Sequence, residues 1–347
     1  MTRNTNASNK KRLISLLSLI LILALLTLIP LPYYIYQPGT IEKLTDFVKV
    51  ENGHASEIGS FNLTTVLSIK ANNALTLLYG LFAKDTEIRK SVKVRGTLTD
   101  AEYGILLDHM MNSSQNNAVV ASLEAAGQPI PMTYTGIFVQ ALYAESKAAG
   151  MLLPGDVIVE AEGKPVTRIN ELASVIVQSK KIGDMLELVV LRGKERHTLT
   201  VELYGDDGDD AAVPRIGIVS EDQYTIKPPV SVVYKESEIG GPSAGLMFSL
   251  EILDQLTEGE LTHGKFIAGT GTIDAGGNVG QIGGIRDKII AAELAGVEIF
   301  FCPADVKASD SNEKDILDEA RKRGYKVTIV PVHTLAEAMN YLERLGA

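Results

Sequence analysis

Apolar and polar positions alternate in several registers along the 347 residues, and each register predicts a different element. The most apolar stretch, Leu13–Ile29, is 17 residues without a charge, interrupted only by Ser15, Ser18 and Thr27. About 20 helical residues cross a hydrocarbon layer of about 30 Å, so this run predicts a helix just long enough to span a membrane. Further on, the β-branched run FNLTTVLSI (61–69) predicts a strand, and NNALTLLYGLFA (72–83) a short helix. Residues 97–127 read as one helix or two, opening at a Thr/Asp cap and stopping at Gly127.

The texture changes at 131. TGIFVQAL is strand-like, AESKAAG helical, and VIVEA a strand between tight turns. RINELASVIVQS follows as a second helix, and MLELVVLRGKERHTLTVELY as a hairpin turning at Gly193. Short strands flanking two helices predict a partly open barrel over 131–205. The acidic, small-residue stretch GDDGDDAAVP (205–214) reads as a linker. From 213 to 347 strands and helices alternate, which predicts an α/β unit with parallel pairing.

Charge and cysteine content narrow the possibilities. A net charge of -10 disfavours a nucleic-acid partner. The single cysteine, Cys302, excludes an intrachain disulfide and reads as a small buried hydrophobe. The histidines (54, 109, 197, 263 and 333) are scattered without ligand spacing, and the aspartates of 206–210 lack the distal Glu of a calcium loop. No metal and no cofactor is expected. The glycine-rich stretch 267–297 has no G-x-x-x-x-G-K-S/T pattern, so no nucleotide site is read there.

Arg3, Lys10, Lys11 and Arg12 precede the apolar run, and no basic residue follows until Lys43. That bias puts a tail (1–12) in the cytoplasm and everything after 36 outside, with Tyr33, Tyr34 and Tyr36 at the outer interface. No small-x-small cleavage site follows, so residues 13–36 are expected to stay as an uncleaved, single-pass anchor. Residues 37–130 then form a juxtamembrane α/β region in which no chemistry is read.

Two residues carry candidate chemistry. Ser243, in GGPSAG immediately before an apolar helical run, is either a helix cap or a nucleophile held at a helix start. Lys288, on a helix predicted over 285–296, shares a face with Ile285, Ala291, Ala292 and Ala295. A lysine on such a face either snorkels to water or is desolvated, and desolvation lowers its pKa toward a value useful to a general base.

The stretch GMLLPGDVIVEAEGKPV (150–166) resembles the PDZ domains of bacterial envelope proteases. That resemblance implies a groove beside Gly136, Ile137, Phe138 and Val139, whose backbone would pair with a bound peptide. GGPSAG followed by GTGTIDAGGNVGQIGGIRDKIIAAELAG resembles the proteolytic domain of the Lon family of Ser–Lys proteases. The resemblance implies Ser243 as nucleophile, Lys288 as base, and Thr270 as a supporting residue that hydrogen-bonds and orients Lys288. Backbone groups around Gly241, Pro242 and Ser243 are the implied oxyanion donors. Together the segments resemble membrane-anchored, PDZ-containing Lon-like proteases of the YlbL type. An ATP-independent endopeptidase acting outside the cytoplasm on peptides or loosely folded, membrane-proximal proteins is implied, with ring-like homo-oligomers common among Lon-type domains.

Two other readings stay open at this level. G-P-S-A-G also satisfies the G-x-S-x-G elbow of α/β-hydrolases, with Asp305 and His333 as nominal partners of an esterase. An anchored PDZ scaffold with an inactive protease unit is the other.

Overall fold

Ile299, Phe300, Phe301 and Cys302 are consecutive, and each is at most 5% exposed. Successive side chains of a strand point to opposite faces, so burial of all four requires cover on both sides of the sheet. A computed structural model of the chain shows that cover. It describes residues 4–54, 56–205, 213–237 and 239–346, without the side chains of 4–11, 22 and 23.

The chain opens with helix α1 (Asn4–Leu28), strands β1 (Tyr33–Lys43), β2 (Val48–Val50) and β3 (Ser60–Lys70), helix α2 (Ala74–Phe82), strand β4 (Glu87–Lys90) and helix α3 (Ser91–Arg95). The long helix α4 (Asp100–Ala125) is followed by β5 (Met132–Leu142), β6 (Asp156–Ala161), β7 (Lys164–Pro165), helix α5 (Ile169–Ser179), β8 (Met185–Arg192) and β9 (Glu195–Glu202). Next come β10 (Ile218–Ile226), β11 (Val232–Tyr234), helix α6 (Gly245–Leu256), β12 (Phe266–Gly269), β13 (Thr272–Ile273) and β14 (Val279–Gly280). Helix α7 (Ile285–Ala295), β15 (Ile299–Pro303), α8 (Asn312–Arg323), β16 (Thr328–Val332) and α9 (Leu335–Leu345) close it.

The central sheet has the order β16-β15-β12-β3-β1-β4. β16, β15, β12 and β3 run parallel, while β1 is antiparallel to both β3 and β4. One face buries Phe61, Leu63, Ile267 and Phe301 against α6, α4 and α9. The other buries Ala268, Phe300 and Cys302 against α7 and α8. A second sheet, β10-β5-β6-β8-β9 with β7 beside β6, encloses its own core of Ile137, Val139, Ile158, Leu186 and Leu188.

Several expectations change. The segment 37–130 is no separate region: β1, β3 and β4 complete the central sheet, and α4 packs on α6. The anchor predicted over 13–36 gives way at its end, since Tyr33, Tyr34 and Tyr36 lie in β1. Among the described residues no helix is long and apolar enough to cross a membrane. Ile22 and Leu23, central to the run, lie outside the described side chains. The PDZ-like unit predicted over 131–205 borrows β10 as an edge strand, and the linker 206–212 lies outside the described residues.

AESKAAG does not form the first of the two predicted helices. Its Ser146 hydroxyl accepts from Ala148 N–H and donates to the Ile216 carbonyl, giving this backbone a turn instead of a helical ladder. By contrast, 97–127 is a single helix. Thr99 and Glu102 form a reciprocal capping box at its start, and Gly127 (φ +74°) follows its end.

Candidate active site

The parallel strands β3 and β12 carry the site where their pairing ends. Pairing stops at Leu63 opposite Gly269, so the next residues, Thr64 and Thr270, stand together past the carboxyl end of β12. Ser243 reaches this point on the loop entering α6. Its carbonyl accepts from Gly271 N–H and from the Thr270 hydroxyl, each at 2.9 Å, which pins the loop to the sheet end. Gly241 turns the loop at φ +88°, a conformation open to glycine at little cost. At Gly245 a Cβ would lie 2.8 Å from Ile273 Cγ2 and 2.8 Å from Ser114 Oγ, so only glycine lets α6 start this close.

Ser243 is not the cap of α6. The N-cap is Ala244, with no side-chain capping bond, and the half-buried Ser243 hydroxyl faces Lys288 instead. Nζ of Lys288 lies 2.9 Å from Ser243 Oγ and donates to the Thr64 carbonyl at 2.9 Å. Lys288 is 3% exposed, among Ile285, Ile289, Ala291 and Ala292, so it does not snorkel. Removal from water disfavours the ammonium, and desolvation lowers its pKa from 10.5 to about 7. Its hydrogen-bond partners are a carbonyl and a hydroxyl; a carboxylate there would restore the charge. Near neutral pH the amine is therefore partly uncharged and within proton-transfer distance of a serine.

Thr270, expected to orient Lys288, is 1% exposed and donates to the Ser243 carbonyl instead. The Thr64 carbonyl holds the amine, and the Thr64 hydroxyl donates to the Gly269 carbonyl at 3.1 Å. Of the expected oxyanion donors, Pro242 has no N–H, and the Gly241 N–H is directed to the Leu107 carbonyl at 3.4 Å. The Ser243 amide is the remaining one of the three. Ser114 on α4 donates to the Pro242 carbonyl at 3.0 Å. Thr64, Leu107 and Ser114 all lie in the segment where no chemistry is legible. Two of them act through backbone carbonyls, which leave no mark on a residue pattern.

The esterase partners are engaged elsewhere. His333 pairs with Glu337 at 3.0 Å and Asp305 accepts from the first turn of α8. Burial pushes the Cys302 thiol up to about 12, fitting an inert core residue.

The PDZ groove also differs from expectation. Gly136, Ile137, Phe138 and Val139 lie in the middle of β5, paired on one side with β6 and on the other with β10. The edge that a bound peptide would use already carries a strand of the chain itself.

Fold and site together describe an α/β unit that carries a serine beside a buried lysine, joined to a second unit built on its own sheet. Residues 117–203 match the PDZ domain model, and residues 223–343 match the Lon protease (S16) C-terminal proteolytic domain. The chain is 34% identical over 101 residues to the Lon protease of Neorickettsia sennetsu, covering 29% of this chain and 11% of that protein. It is 29% identical over 171 residues to the Lon protease of Brevibacillus choshinensis, covering 46% of this chain and 21% of that one. The chain thus spans a small part of the length of these relatives. A solved PDZ domain of an SdrC-like protein from Listeria monocytogenes is 28% identical, covers 25% of this chain and 90% of its own, and has a TM-score of 0.23.

Proposed function

We propose that the chain is a serine endopeptidase with Ser243 as nucleophile and Lys288 as general base. The observation that carries this reading is the desolvated Lys288 amine 2.9 Å from Ser243 Oγ. Uncharged Nζ takes the hydroxyl proton as Oγ attacks a peptide carbonyl. The resulting ammonium gives that proton to the leaving amine, and water then hydrolyses the acyl-enzyme through the same base. The Ser243 amide, at the start of α6, faces the developing oxyanion with the helix dipole behind it. Thr270 is a positioning residue that holds the Ser243 backbone.

On this reading the bond-breaking steps need no nucleotide, and the substrates are peptides or loosely folded proteins cleaved without ATP. On this reading the protease and PDZ units lie outside the cytoplasm, tethered at the membrane in the manner of the YlbL type. Support for the tether comes from α1, where Leu13, Leu16, Leu17 and Ile20 are each more than half exposed and need an apolar surrounding. Carbonate extraction and protease accessibility of intact cells test that part.

The central test is hydrolysis of unfolded casein by the full chain beside Ser243→Ala and Lys288→Ala. Both variants should lose activity at least about a thousandfold while staying folded, as circular dichroism checks. Equal hydrolysis by all three proteins would overturn the assignment, and no hydrolysis by any of them would leave a scaffold role.

A further inference from the structure

β10 lies in the groove that a PDZ-type ligand would occupy. It runs antiparallel to β5, from Ile218 opposite Leu142 to Ile226 opposite Met132, with α5 on its other flank. Asp222 holds it to the start of α5, accepting from Ile169 N–H at 2.6 Å and pairing with Arg168 at 3.3 Å. Arg168 itself stacks 4.3 Å over the Tyr134 ring of β5. Glu221 of the same strand pairs with His109 and accepts from Ser113 at 3.0 Å and Gln140 at 2.8 Å.

These contacts continue to the nucleophile loop through one helix. His109 and Ser113 of α4 hold Glu221, and Asn117 accepts from the Tyr224 hydroxyl. On the same helix Ser114 holds the Pro242 carbonyl, and the Leu107 carbonyl takes the Gly241 N–H. Asn117 also donates to the Ile273 carbonyl at 2.9 Å. The strand in the groove and the loop bearing Ser243 are therefore tied to neighbouring faces of α4 within about three helical turns.

We propose that β10 is an internal ligand of the PDZ groove, and that an acidic, extended peptide exchanging with it loosens the hold of α4 on the Ser243 loop. The chemistry of the occupant follows from what β10 presents: backbone pairing to β5, and adjacent carboxylates met by Arg168, the Ile169 amide and His109. Exchange frees α4 from Glu221 and Tyr224, and with it the Gly241 N–H now given to Leu107. The activity readout rests on Ser243 being the nucleophile; the binding readout does not.

The test uses the full chain in detergent and a fluorescent peptide with the sequence of Ile218–Ile226, IVSEDQYTI. Binding is measured in a Ser243→Ala background. Asp222→Ala, which loosens the internal strand, should tighten probe binding at least tenfold. A Thr133→Cys, Thr225→Cys disulfide across the paired strands should abolish it until reduced. A probe with Lys at both acidic positions should bind at least tenfold more weakly. With Ser243 intact, the acidic probe should speed hydrolysis of an unrelated peptide several-fold, and hydrogen exchange at Gly241 should accelerate. Probe binding alike in the Asp222→Ala and oxidised forms overturns the exchange. Unchanged Gly241 exchange on probe binding overturns the coupling. If binding and exchange behave as expected but no protein hydrolyses anything, the peptidase assignment fails while the internal ligand stands.

Discussion

Lys288 donates to the Thr64 carbonyl at 2.9 Å, and this single bond to a neutral acceptor fixes the amine beside Ser243 without charging it. A carboxylate in the place of Thr64 would favour the ammonium and remove the base.

Activity should depend on pH through Lys288. With its pKa held at about 7 by burial, the uncharged fraction grows with rising pH and saturates above that value. Below it, kcat/KM should climb about tenfold per pH unit, then level off. A profile that inflects near the ordinary lysine value would contradict the buried base.

Thr270→Val keeps the volume and removes the hydroxyl that donates to the Ser243 carbonyl. Gly271 N–H still satisfies that carbonyl, so the protein should fold, with a stability loss of about 1 kcal/mol. The loosened loop should lower kcat about fivefold to tenfold with little change in KM. Steady-state kinetics separates the two, and a KM effect alone would count against a positioning role.

Gly245→Ala puts a methyl group 2.8 Å from Ile273 Cγ2 and 2.8 Å from Ser114 Oγ. Ala is the better helix former, yet the overpacking here should cost about 1–3 kcal/mol and displace Ser243. Thermal unfolding together with casein hydrolysis tests this, and a stabilised, fully active variant would refute it.

Two buried groups give stability opposite pH trends. Lys288 titrates at about 7 in the folded chain against 10.5 ordinarily, so between those values the unfolded chain holds the extra proton and stability rises with pH. Glu251, raised from 4.5 to about 7 by burial, makes the folded chain the holder in that lower window, so stability falls as pH rises through it. Lys288→Met should therefore stabilise the chain by roughly 1–3 kcal/mol in mild acid, with the gain shrinking toward alkaline pH. Glu251→Gln, which keeps an acceptor for Gln255, should flatten the decline in the lower window. Urea unfolding across pH checks both slopes.

Much of the chain's chemistry is local in origin. The small-residue loop before α6 and the lysine on an Ala- and Ile-lined face of α7 are legible from periodicity, because each feature is completed within a few residues of its own helix. Capping by Thr99 and Glu102 and the stop at Gly127 are local for the same reason.

What no local pattern contains is which strand lies beside which. Thr64 meets Lys288, and Thr270 turns to Ser243, because β3 pairs in parallel with β12 across some two hundred positions of chain. β10 fills the groove of β5 for a like reason: a sheet edge takes whichever strand the fold brings to it. Residue types set the serine, the lysine proposed as its base and that lysine's apolar face; long-range backbone pairing, whose donors and acceptors are the same at every residue, chose their partners.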